Sequence, residues 1–135
     1  MLTIEKVLTL SRVDLFAGLT GESLSEIAGL TEELDLAKGQ PVSSDGGPSS
    51  AMYVVAAGRV QILKEGRIKA EFGPGEAFGV ICALDPREVT TTAAALEESL
   101  LLKIEHEVLF DLISEDVELA KAIIRSLCRR PGISE

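Results

Sequence analysis

Apolar residues at Ile4, Val7, Leu8 and Leu10 fall three and four apart, a spacing that predicts a helix near the N-terminus. The segment Asp14 to Leu19 breaks it, and Thr20 is placed to cap a second helix running to about Gly29, with Leu24, Ile27 and Ala28 facing inward. The period then shortens to two. Leu34 to Ala37 alternates, Lys38-Gly39-Gln40 turns the chain into Pro41-Val42, and the Ser/Gly/Pro cluster from Ser43 to Ser50 reads as a loop. Met52–Ala57, Val60–Lys64 and Arg67–Phe72 are expected strands with Gly58 and Gly66 near the corners, followed by two more, Val89–Ala95 and Leu100–Ile104. From Glu105 the period returns to 3.6, with Val108, Leu109, Leu112 and Ile113 on one helix. Ser114 or Asp116 caps a last helix carrying Val117, Ala120, Ile123, Ile124 and Leu127.

Helices at both ends of a run of short strands, in 135 residues, predict one mainly β domain with flanking α: helices over 3–30, strands over 32–104 and helices over 105–130. With 46% hydrophobic residues the chain has enough apolar surface to fold. No apolar run reaches the roughly 18 residues of a membrane span, and the N-terminus lacks the charged, apolar and cleavage regions of a signal peptide, so the expected location is cytoplasmic with no membrane contact. Cys82 and Cys128 both sit among apolar neighbours and are expected as two reduced, buried thiols. The net charge of −9 repels phosphate backbones and argues against a nucleic-acid partner. Arg125, Arg129 and Arg130 close a helix, where cations complement the macrodipole.

Catalytic chemistry finds little to work with. The single histidine, His106, stands between Glu105 and Glu107 and is expected to be solvated or to act as a cap; neither it nor two distant cysteines make a metal site. No nucleophile elbow, phosphate-binding Walker loop or dinucleotide fingerprint is present. Glu32-Glu33 and Glu97-Glu98 are adjacent pairs, and adjacent residues of a strand point to opposite faces. Tyr53 reads as a core strand residue. The chain is expected not to be an enzyme, with no metal and no cofactor.

The most informative stretch is Gly73 to Ala95. Gly73-Pro74-Gly75 is a turn, Gly79 permits close backbone approach, and the amides of Val80, Ile81, Cys82 and Ala83 open a short helix whose N-terminus attracts anions. This layout resembles the phosphate-binding cassette of the cyclic nucleotide-binding domain family, roughly F-G-E-[LI]-A-L-L-x-x-x-P-R-x-A-T. Phe78-Gly79, Ala83-Leu84 and Thr92 fall on the pattern. The family's Glu, which holds the ribose 2′-hydroxyl, is replaced by Val80; its Pro-Arg, whose Arg pairs with the cyclic phosphate, is replaced by Glu88-Val89, with Thr90 and Thr91 following and Arg87 two residues early. Removing the partner of a buried charge costs roughly 2–5 kcal/mol, and losing the carboxylate contact a further ~1.5–3 kcal/mol. A micromolar site then becomes about millimolar.

The resemblance extends from about Val13 to Arg129. Asp14-Leu15-Phe16 with Leu19 is similar to the family's entry segment, and Gly46-Gly47 with Met52 to Gly58 is similar to its core strand, with Gly47 in place of an Asp. It implies a cyclic nucleotide-binding-like β-jelly-roll (a double-stranded β-helix) with an N-terminal helical pair and two C-terminal helices, and no helix-turn-helix domain within these residues. The implied function is a non-catalytic regulatory or interaction module that holds cAMP and cGMP weakly. Two alternatives remain. One is a cAMP or cGMP sensor using backbone amides, Thr90 to Thr92 and Arg87; the other is a structural dimerisation module without ligand. Ala56-Ala57 and Ala93 to Ala95 would line a residual pocket. The last helix, through Leu119, Ile123, Ile124 and Leu127, is the expected contact with a second copy or a protein partner.

Overall fold

The computed structural model describes residues 1–42 and 49–129. Gly46 and Gly47, most of the expected Ser43–Ser50 loop, and Arg130 lie outside the described residues. Helix α1 (Thr3–Ser11) leads through a 3₁₀ turn (Asp14–Phe16) to α2 (Gly21–Leu30). Strands β1 (Glu32–Leu36), β2 (Ala51–Ala57), β3 (Val60–Lys64), β4 (Arg67–Phe72) and β5 (Ala77–Phe78) precede a short helix, α3 (Val80–Leu84). Strands β6 (Thr91–Ala95) and β7 (Ser99–Glu105) then lead to α4 (His106–Glu115) and α5 (Val117–Arg129).

The strands make two antiparallel sheets, in the orders β1-β7-β2-β5 and β4-β3-β6. The expected jelly roll with helices at both ends is the observed architecture. Strand β2 sits inside its sheet and is covered on both faces, which is why AMYVVAA shows no polar alternation. Met52 and Val54 point into a core shared with Leu10, Phe16, Ile27, Leu109 and the other helical residues. Val55, with Tyr53 half-buried beside it, points between the sheets towards Leu36, Val60, Phe78, Ala95 and Leu101. One sheet therefore separates a helix-facing core from an inter-sheet core.

Local chemistry sets the helix ends. The Thr20 hydroxyl accepts from the Ser23 amide at 3.1 Å. Asp116, rather than Ser114, caps α5, its Oδ1 accepting from the amides of Glu118 (3.1 Å) and Leu119 (3.2 Å). Its Oδ2 accepts from the Ser23 hydroxyl at 2.8 Å, tying α2 to the α4–α5 corner. Helix α1 departs from simple amphipathicity: Leu10 is buried, whereas Ile4 and Leu8 are about 60% exposed. No helix of the described residues is long and apolar enough to cross a membrane.

Candidate functional site

The cassette is built from the glycine turn, β5, α3 and the return into β6. The turn closes with the Glu76 amide donating to Gly73 O (3.1 Å), the Gly75 amide donating to Val55 O (2.9 Å) and the Gly73 amide donating to the Glu76 carboxylate (2.7 Å). Phe78 pairs with Tyr53 across β2–β5. Gly79 is the N-cap of α3 at φ +82°, and a Cβ there would stand 2.7 Å from Ala51 O. Glycine is needed for both reasons at once: the left-handed backbone and the contact with the strand behind it.

Each expected ligand position has a definite place. Phe78 is buried between the sheets, where its ring stacks on Tyr53 (5.2 Å) and on Phe72 (5.3 Å). That aromatic row fills space that the alanines were expected to leave open. Ala95 is buried and Ala93 packs on the inter-sheet core, Ala56 packs towards the helices and Ala57 is exposed, so these residues do not line a common pocket. Val80, expected at the position of the family's glutamate, is 2% exposed and belongs to the helix-facing core. Ile81 and Cys82 are half-buried. The amide of Ala83, one of the four expected anion donors, is already committed to Gly79 O at 3.0 Å.

The return segment is more exposed. Val89, expected at the position of the family's arginine, is 42% exposed, and Thr90 and Thr92 are exposed. Thr91 shares a face with Ala93 and Ala95 and is half-buried, so the three threonines do not converge. Arg87 is held in its own turn: Nη2 meets Asp85 Oδ2 at 2.9 Å and Nε donates to Asp85 O at 3.3 Å. Its backbone pairs with Ser49 in both directions, at 2.8 and 3.1 Å. Burial pushes the Cys82 thiol up, against a smaller opposing pull from Arg87.

Several features were not legible beforehand. Cys128 is exposed, contrary to the expectation of two buried thiols, because α5 turns that row away from the core. His106 is half-buried rather than solvated, and it caps the C-terminal end of α3 rather than its own helix, with Nδ1 donating to Ala83 O at 2.6 Å and its ring edge-on to Phe110 at 4.9 Å. Lys103 lies on the inter-sheet side, opposite Tyr53 and Glu32, with Nζ 2.9 Å from Glu105. The hydrogen bond with Glu105 raises its pKa, against desolvation, so the ammonium stays charged. Strand parity could have found it, since Lys103 alternates with the inward Leu101. A cleft of about 420 Å³ opens between the Arg12–Leu15 segment, the Gly75 turn, Val80 and Ser126.

On the last helix, Leu119 and Ile123 are buried in the domain's own core and Leu127 packs against it. Only Ile124 of the four expected contact residues is exposed, at 61%, beside Val117 at 65%. Leu119 and Ile123 are thereby removed from any contact face.

Known proteins share this arrangement. The cyclic nucleotide-binding domain family matches residues 33–116. The N-terminal domain of a transcriptional regulator from Streptomyces coelicolor A3(2) superimposes with a TM-score of 0.78 at 34% identity, covering 90% of this chain and 91% of that one. The cyclic AMP receptor protein of Thermus thermophilus is 31% identical over 121 residues, 86% of this chain and 56% of that protein. A CRP-like cAMP-activated global transcriptional regulator of Mycobacterium tuberculosis is 25% identical over 126 residues, 90% of this chain and 56% of that protein. The chain spans about half the length of these curated relatives. With the family model matching more than half of its residues and the overall fold superimposing on that regulator domain, the chain belongs to the cyclic nucleotide-binding domain family.

Proposed function

We propose that this domain regulates without catalysis and without holding a cyclic nucleotide at useful affinity. The observation that carries the reading is the side chain at each charged cassette position. Val80 is spent on the helix-facing core, Val89 is an exposed apolar residue, and the nearby Arg87 is neutralised by Asp85 in its own turn. Two relatives are named for cAMP, which makes cAMP the ligand to try first. Recruiting Arg87 to a phosphate would break its contacts with Asp85, and Glu88 beside it adds repulsion. In this reading the output surface is the outer face of α5, Val117 and Ile124 with Ala120, against a second copy or a protein partner.

Calorimetric titration of the purified protein with cAMP and then cGMP, carried to millimolar ligand, tests the first part. No saturable heat in the micromolar range is expected. Micromolar saturation that disappears in Arg87→Ala would overturn the reading in favour of a sensor. Sedimentation of the wild type and of Ile124→Glu tests the output surface: an association that the substitution leaves unchanged does not run through α5.

A further inference from the structure

The carbonyl of Ala83 poses a satisfaction problem. It lies near the C-terminal end of α3, where the next partner in a helical ladder would be the amide of residue 87. That amide is taken, since Arg87 N–H donates to Ser49 O at 3.1 Å. Ala83 is fully buried, and a buried carbonyl without a donor is costly. His106 supplies the donor, Nδ1–H, at 2.6 Å. His106 is also the first residue of α4, its backbone amide donates to Ser50 O at 2.8 Å, and its ring rests on Phe110 one turn later. One side chain thus joins the end of the cassette helix to the start of the C-terminal helical pair, and its own backbone anchors that junction to the lead-in of β2.

We propose that His106 is a clasp that makes α3 and the α4–α5 pair move as one body. A displacement of the cassette, from whatever cause, is then delivered to α4 through a directional hydrogen bond in addition to the apolar core that Val80 and Ala83 share with Leu109 and Leu112. The clasp does not depend on whether a nucleotide binds. It requires the ring proton on Nδ1, because the acceptor is a carbonyl.

The test combines two measurements. In the wild type, ¹⁵N shifts of the imidazole at alkaline pH should show Nδ1 protonated. Amide exchange should then be compared in His106→Phe, which keeps the ring on Phe110 but has no donor, and His106→Asn, whose amide nitrogen can stand where Nδ1 stood. Loss of a neutral hydrogen bond predicts about threefold to tenfold faster exchange at Ala83 and Asp85 in the Phe variant. The same acceleration should reach Asp116 and Ala120 at the α4–α5 corner, and the Asn variant should restore both regions. An unprotonated Nδ1, unchanged exchange at Ala83 and Asp85, acceleration confined to α3, or an Asn variant as fast as the Phe variant would each overturn the proposal. Should the Phe variant fail to fold, the ring-nitrogen shifts and the Asn variant still decide.

Discussion

Replacing Gly79 with alanine separates two costs that glycine usually hides together. Gly79 sits at φ +82° and ψ 11°, a conformation that costs an L-residue roughly 1–2 kcal/mol. The added Cβ would also lie 2.7 Å from Ala51 O and 3.4 Å from Met52 Cα, both backbone atoms of a strand buried on both faces. Neither can rotate away, so β2 or the cassette must shift, at a further ~1–3 kcal/mol typical of overpacking. The total is about 2–5 kcal/mol. Gly39 provides the control: its φ is +84°, but a Cβ there meets nothing within 4 Å. Gly39→Ala should therefore cost only the first ~1–2 kcal/mol. Urea unfolding at equal slope measures the difference directly, and thermal midpoints should separate by about 4 °C for each kcal/mol. Equal losses in the two variants would refute the claim that the cassette is pressed onto β2 at Gly79.

Two further substitutions probe the same region and its electrostatics. Val80→Glu, which writes the family's carboxylate back, should destabilise by roughly 3–5 kcal/mol because it removes a buried apolar side chain and desolvates a charge, whereas Val89→Arg at its half-exposed position should stay within about 0.5 kcal/mol; chemical denaturation distinguishes them, and a stable Val80→Glu would show that this side chain does not belong to the core. Glu26 has its pKa raised, first by a hydrogen bond with Glu115 and then by desolvation and by Glu115, Asp116 and Glu22. A folded-state value above the unfolded one contributes stability that is present below the ordinary glutamate range and lost as pH rises through the shifted value. Glu26→Gln should accordingly gain on the wild type towards neutral pH and lose that advantage in acid; parallel pH dependences of the two melting temperatures would contradict the assignment.

Much of this protein is written in local pattern. Periods of 3.6 and 2 place α1, α2, α4, α5 and every strand but the two-residue β5 to within a few residues, because each element must show one apolar face to something. The cassette is legible for the same reason: Gly73, Gly75 and Gly79 mark turns and a close approach whose chemistry is local. Direction is what the pattern leaves open. Leu119 and Ile124 read alike as apolar positions of one helix, and only packing buries the first and exposes the second. Ile4 and Leu8 repeat at helical spacing yet face outward, because α1 meets α2 and the 3₁₀ turn along its other side. Val80 reads as a ligand position from the cassette pattern, and packing places it in the core.

The chain alone determined the strand-and-helix scaffold and the glycine turns of the cassette, since these follow from periodicity, turn chemistry and residue identity. The tertiary structure decided what the remaining polar groups do. Arg87 turns back on Asp85, Lys103 enters the inter-sheet space, and His106 reaches a carbonyl 23 residues away. The His106 contact joins residues remote in sequence and exists only once the fold has brought them together, whereas Arg87 and Lys103 meet partners two residues away, in a turn and on a strand face that the surrounding pairings hold in place.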